Sequence, residues 1–305
     1  MSSLPARDAT PAYRAGHVAI VGSPNVGKST LLNRLIGCKV SVTSRKPQTT
    51  RQRVTGIVTR ADAQIVFVDT PGYQTEHQSA LNRMMNRSVT ASLQGVDAVV
   101  WVVEALRYGA RDGAVARLLP RQVPVVLAIN KTDRVRDRRL LLPFIEQLAR
   151  HREFAAVVPV SASKGTQVDE LLDAMVPLLP QGPRLYDADE ITTASERFLA
   201  AELLREKLFR LLGDELPYAT AVEVEQFKLS GGVRRIHAAV LVEKEGQKAI
   251  VIGKRGEKLK AAATQARRDM ERLFGGKVFL EVWVRVRRGW SGSEAALKRM
   301  GYNPE

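Results

Sequence analysis

Gly22-Ser23-Pro24-Asn25-Val26-Gly27-Lys28-Ser29 decides how the first half of this chain folds. The octet fits G-x-x-x-x-G-K-[ST], follows the apolar run 17–21 and opens the amphipathic stretch 29–36. Gly22 and Gly27 let the backbone curl so that N–H groups along Asn25, Val26 and Gly27 point at phosphate oxygens. The helix that follows adds its positive N-terminal end. Lys28 is placed to reach the outer phosphates, Ser29 to offer a hydroxyl to Mg²⁺, and Thr30 to bind phosphate beside it.

Working outward, short β-branched runs at 17–21, 54–60, 64–68, 98–103, 123–129 and 156–160 alternate with helical patterns at 29–36, 81–93, 140–151 and 168–178. That order predicts an α/β domain, a mostly parallel sheet with helices on both faces. Only residues 61–63 separate the second and third runs, so these form a hairpin with one antiparallel strand. The domain is expected over 17–180, after a tail at 1–16. Pro180-Gln181-Gly182-Pro183 and the acidic stretch behind it predict a linker over 181–195.

Three further motifs sit at strand ends. Asp69-Thr70-Pro71-Gly72 provides a carboxylate to hold Mg²⁺ through water and a Gly72 N–H for the γ-phosphate. Asn130-Lys131-Thr132-Asp133 provides a carboxylate that accepts from guanine N1–H and its exocyclic amine. Adenine has neither donor there and would leave a desolvated carboxylate facing a lone pair. Lys131 lies along the base, Asn130 ties this loop to the first, and Ser161-Ala162-Ser163 offers the Ala162 N–H to guanine O6. Four motifs in order on the ligand-binding edge of such a sheet predict GTP over ATP. In the polar segment 40–53, Thr50 or Thr49 completes the Mg²⁺ shell as a switch residue; the sequence does not decide between them. Tyr73 stands where Ras-like enzymes carry a water-orienting Gln, which predicts slow unaided hydrolysis. Asn25 at its loop position predicts a K⁺ ion as a compensating fixed charge.

The second half has a different order: helix 196–212, strands 219–228 and 234–243, helices 248–252 and 257–274, and strand 278–287. Ile252-Gly253-Lys254-Arg255-Gly256 places a G-x-x-G loop between the two later helices. In an α-β-β-α-α-β order this is the loop of a type II KH domain, an α+β fold that grips the backbone of about four nucleotides. Lys254, Arg255, Lys258 and Lys260 neutralise phosphates, while Ile250, Val251, Ile252 and Leu259 floor the groove. The domain is expected over 196–288 with a tail at 289–305. Trp283 is as suited to packing as to stacking on bases, and Trp290 and Tyr302 are open in the same way.

Composition agrees with this division. The net charge is +15, and residues 231–288 hold fifteen Lys/Arg against six Asp/Glu, whereas residues 181–230 hold six against ten. The basic island lies where the RNA loop is expected. One cysteine, Cys38, excludes an intramolecular disulfide and predicts a reducing cytoplasm. No apolar run approaches the roughly 20 residues of a membrane span. The four histidines show no metal-ligand spacing.

With Ser44-Arg45-Lys46-Pro47-Gln48-Thr49-Thr50-Arg51, Glu245-Gly246-Gln247-Lys248 and Gly289-Trp290, the motifs together resemble the Era branch of the translation GTPases. The likeness runs from about residue 17 to 302. It implies binding to the 3′ end of small-subunit ribosomal RNA, a role in small-subunit assembly, and GTP control of how the two domains sit. It also implies peripheral contact with the inner face of the cell membrane; a monomer is expected. Two alternatives stay open: a GTPase acting on tRNA, large-subunit RNA or a protein client, and a non-catalytic, nucleotide-gated RNA adaptor.

Overall fold

The computed structural model describes residues 12–43, 49–74, 79–213 and 216–299. Residues 1–11 of the expected tail, residues 44–48 of the switch segment, His77 and Tyr302 lie outside them. The first domain is built on β1 (Arg14–Val21), β2 (Val54–Thr59), β3 (Ala63–Asp69), β4 (Ala98–Glu104), β5 (Val125–Asn130) and β6 (Ala156–Pro159), in the order β2-β3-β1-β4-β5-β6. Every pairing is parallel except that of β2 with β3. The middle strands are buried on both faces, which is why they read as unbroken apolar runs. One face is covered by α1 (Lys28–Ile36) and α5 (Val168–Met175), through Leu31, Leu32, Leu35, Leu171 and Met175. On the other face α2 (Ala80–Ser92), α3 (Ala110–Leu118) and α4 (Leu141–Ala149) enclose Trp101 with Val89, Val115, Phe144 and Leu148. Chain order reverses beside β1, so the C-terminal ends of β1, β3 and β5 converge on one crevice.

Strand β1 begins three residues before the apolar run. Arg14 N donates to Asp62 O and Ala15 N to Pro180 O, so pairing rather than hydrophobicity holds its polar start, and residues 14–16 belong to the domain. α3 gives almost no periodic signal because Val115 is its one buried side chain. The linker is a strap over the hairpin. The Gln64 side chain accepts from Leu185 N and Tyr186 N, Ile57 N donates to Ile191 O, and Thr192 Oγ1 donates to Thr55 O. It thereby covers the outer edge of β2, an edge that would otherwise offer free pairing groups.

The second domain runs α6 (Glu196–Leu211), β7 (Ala221–Ser230), β8 (Val233–Val242), α7 (Glu245–Ile252), α8 (Glu257–Phe274) and β9 (Lys277–Val286). β8 pairs antiparallel with β7 and parallel with β9. Alternate residues Ile236, Ala238, Val240 and Val242 of β8 face α6 and α8, meeting Leu204, Leu208, Ala262 and Ala266. The opposite face meets the first domain. Leu81, Met84 and Met85 of α2 pack on Ala221, Ala239 and Leu241 together with Trp290 and Leu297. The expected tail is therefore corrected over residues 289–299: Trp290 is buried and, with α9 (Glu294–Arg299), forms part of the seam between domains.

A second seam is polar. Arg205, Glu206 and Lys207, consecutive in α6, are 1%, 0% and 4% exposed. Lys39 of the first domain lies 2.8 Å from Glu206 and 3.1 Å from Asp269. Arg210 pairs with Glu206 at 2.5 Å, and Lys207 pairs with Asp269. Arg205 donates to Thr49 O, and Arg51 donates to Thr220 O at 2.8 Å. Both guanidinium groups lie over the Phe209 ring, at 5.2 and 5.4 Å.

Removing one member of a buried charge network leaves the others uncompensated, at a cost of about 3–5 kcal/mol. Glu206→Ala should lower the unfolding free energy by that order in urea titrations. Arg60→Ala, at the surface with Asp62 and Asp173, should change it by less than about 1 kcal/mol.

Candidate nucleotide site and RNA-facing loop

The phosphate loop joins Val21, the last residue of β1, to Lys28, the first of α1. Gly27 has φ 103°, and a Cβ there would lie 2.3 Å from Asn130 Nδ2. That amide crosses the loop and donates to Val26 O at 2.8 Å, so Gly27 is required by the strand-β5 motif as much as by the phosphates. Asn25 is exposed with φ 64°, a left-handed conformation that Asn tolerates better than most residues. Val26 turns its side chain into the core. Lys28 Nζ donates to Gly22 O at 2.9 Å and to Ser23 O at 3.0 Å.

Beside it, Asp69 is fully buried. Its Oδ2 accepts from Ser29 Oγ and Ser41 Oγ, both at 2.8 Å, and lies 3.5 Å from Thr50 Oγ1. Ser29 Oγ and Thr50 Oγ1 are 2.6 Å apart, whereas Thr49 is engaged through its carbonyl by Arg205. Thr50 thus brings its hydroxyl into this corner, and both switch candidates line the cavity described below. Asp69 Oδ1 is buried without a hydrogen-bond partner among the described residues. Burial pushes the carboxyl pKa up, against the opposing pull of Lys28 and the three hydroxyls. Hard oxygen donors around a carboxylate with an orphaned oxygen fit Mg²⁺. Ser41 was not foreseen; Asn33 Oδ1 accepts from the Val40 and Ser41 N–H groups and folds the chain back to deliver it.

At the other end of the crevice, Asp133 Oδ1 accepts from Ser161 Oγ at 2.6 Å, and that bond outweighs the opposing effect of burial and lowers its pKa. Ser161 and Ser163 hydroxyls lie 3.2 Å apart. The Ala162 N–H, expected to face guanine O6, donates to Asn130 Oδ1 at 3.0 Å. Lys131 is paired with Glu104, the last residue of β4, at 2.5 Å. Arg34 of α1 donates to Ala162 O and Ser163 O and so fixes the Ser161–Ser163 turn. Neither Glu104 nor Arg34 carries a motif signal. Between the two ends lies a cavity of about 900 Å³ lined by Asn25, Gly27, Lys28, Ser29, Thr30, Thr50, Gly72 and Lys131, and also by Phe209 and Arg210 of the second domain.

The G-x-x-G loop spans the break between α7 and α8. Gly253, Arg255 and Gly256 have φ of 75°, 51° and 79°, and Gly256 N donates to Gly253 O. Lys254, Arg255, Lys258 and Lys260 are exposed. The apolar floor needs correction. Val251 is fully buried and faces the domain core with Ala262 and Ala266, because α7 must bury one face, while Ile250 is 50% exposed. Ile252 and Leu259 are half-buried against the same core.

Residues 17–131 match the family described as 50S ribosome-binding GTPase, and residues 215–291 match the KH domain family. The chain is 56% identical to GTPase Era of Nitrosomonas eutropha and of Chromobacterium violaceum, over 95% of its own length and 98% of theirs. Among solved structures it is similar to Aquifex aeolicus Era bound to GDP and aluminium fluoride, with TM-score 0.91 and 37% identity over 95% of this chain and 99% of that one. It is also similar to Era in complex with MgGDPNP and nucleotides 1506–1542 of 16S ribosomal RNA, with TM-score 0.92 and the same identity and coverage. With both domains matched and nearly the full length shared, the chain belongs to the Era family of GTPases.

Proposed function

We propose that this GTPase is a switch whose second domain binds the 3′ end of small-subunit ribosomal RNA in its GTP state and thereby assists assembly of that subunit. One observation carries the coupling. Thr50 puts its hydroxyl against Ser29 and Asp69, while its neighbours Thr49 and Arg51 are held by Arg205, Thr220 and Phe209 of the second domain. A change in the switch segment on phosphate release therefore disturbs the polar seam directly. The exposed cations of the Gly253–Gly256 loop and the 16S RNA present in the related complex support the RNA partner.

In this reading Asp133 accepts the guanine N1–H and amine, with the Ser161 hydroxyl giving way or sharing. Lys131 lies along the base, and the loop N–H groups with Gly72 hold the phosphates. Ser29, Thr50 and, through water, Asp69 would hold Mg²⁺, which when bound neutralises charge on the β- and γ-phosphates. Tyr73 is half-buried against the core around Trp101, so it is not disposed to orient water as a Gln would. Asn25 at the cavity wall supports K⁺ as the missing positive charge. The single cysteine and the basic charge support a cytoplasmic monomer, and the same charge supports peripheral contact with anionic lipid.

Three outcomes test this. Burial lowers the Lys28 pKa to about 8, despite attraction from Asp69. Nucleotide phosphates favour the charged form and raise it, so binding of MgGDP at pH 8 should take up about half a proton. Affinity should be flat well below that pH and fall above it, by at most about tenfold per unit. Calorimetry in buffers of different ionisation heat reads the uptake, and zero uptake contradicts the electrostatic account. Hydrolysis should run faster in KCl than in NaCl, and Asn25→Ala should abolish the difference. RNA from the 3′ end should bind more tightly with a non-hydrolysable GTP analogue than with GDP, and Lys254→Ala/Arg255→Ala should lose that binding. Affinity indifferent to both nucleotide and variant would refute the switch.

A further inference from the structure

The sheet of the second domain has one face whose use the clamp loop does not explain. Helices α6 and α8 cover the inner face, and the Gly253–Gly256 loop lies on that side. On the outer face, α2 and the Trp290 segment cover Ala221, Ala239, Leu241 and part of Trp283. The rest of this face is open. Along it run Arg235 and His237 of β8 and Lys277, Phe279 and Trp283 of β9, with Lys228 of β7 opposite Arg235.

The open half holds an aromatic row. His237 stands 6.3 Å from Phe279 on one side and 6.3 Å from Trp283 on the other, centroid to centroid. The Arg235 guanidinium lies 5.7 Å from the Phe279 ring centre. Phe279 is 46% exposed, an unusual loss for a side chain that the filled inner face does not need. Arg235, Lys228 and Lys277 are exposed, and no ion pair involving them occurs among the described residues. The acid on the row is Glu281, 3.8 Å from His237. Ring faces interleaved with unpaired cations suit unpaired nucleobases with their phosphates: each base has a π-face, and stacking tolerates any sequence. A protein partner would instead call for a broader apolar area or acid-base matching, and this strip is narrow and basic.

We propose that the Arg235–His237–Phe279–Trp283 row is a second RNA platform, on which bases stack after the strand leaves the Gly253–Gly256 clamp and passes over the edge strand β9. This rests on the second domain binding RNA. It assigns that domain two contact faces, so affinity should depend on RNA length beyond what the clamp alone can hold.

The test uses the full chain with a non-hydrolysable GTP analogue and two labelled RNAs from the small-subunit 3′ end. One has about six nucleotides, enough for the roughly four that the clamp grips, and the other about twenty-five. Phe279→Ala and Arg235→Ala should each weaken the longer RNA by about 5- to 100-fold and leave the shorter unchanged. Phe279→Tyr should retain affinity, which separates stacking from disturbed folding. Equal affinity of Phe279→Ala and the parent for the longer RNA would overturn the platform. Loss of both RNAs by Lys254→Ala/Arg255→Ala is the separate signature of the clamp, so failure of either idea is read on its own variant.

Discussion

Asp69 and Lys28 are two opposite charges removed from water within one crevice, and the first domain is arranged around the cost of keeping them there. Neither is neutralised completely. The lysine ammonium borrows two loop carbonyls, and the carboxylate borrows three hydroxyls while one of its oxygens has no partner among the described residues. Such a site is high in free energy until an anion meets the lysine and a cation meets the aspartate. A magnesium nucleotide would supply both at once. The hydroxyls that stand in at Asp69 come from α1 (Ser29) and from the two ends of the 40–53 segment (Ser41 and Thr50), so a metal filling the corner would reorganise both.

Consequences for the second domain follow from the chemistry of the two seams. Around α2 the contact is apolar: Met84, Met85 and Leu81 meet Leu241 and Trp290, and separating them exposes hydrocarbon to water. Around α6 a small apolar contact, where Phe198 and Leu199 join the first-domain core, lies beside ion pairs and guanidinium contacts, and the charged part exchanges protein partners for water at much closer to zero net cost. An all-apolar interface would lock the domains together. The charged seam gives a joint whose balance a change of a few hydrogen bonds at residues 49–51 is able to tip.

The sequence made the nucleotide chemistry legible because that chemistry dictates residue types at fixed spacing. Only Gly accommodates the Asn130 amide over position 27, and only a carboxylate after β5 could accept from both N–H donors of guanine. The supporting residues were invisible for the converse reason. Arg34 reaches a turn 128 positions away, Glu104 ends a strand whose last residue could be any polar one, and Ser41 depends on how Asn33 folds the following turn. Three consecutive charges in α6 carry no sequence signal of burial, because their partners, Lys39 of the first domain and Asp269 of α8, are far away along the chain. Trp290 was equally open between packing and stacking until the position of α2 resolved it.

Thermodynamics constrains how such a joint is used. If a GTP-filled crevice favours one arrangement of the domains, and RNA binds that arrangement better, the two ligands share one coupling free energy. RNA must then tighten GTP by the same factor by which GTP tightens RNA. The enzyme would consequently be held in its GTP form while engaged, with slow hydrolysis setting how long the engagement lasts. A half-buried Tyr73 in place of a water-orienting Gln suits that arrangement. A fast GTPase would erase the coupling before RNA could act on it, whereas a slow one lets the bound RNA report on its own folded state for as long as the triphosphate survives.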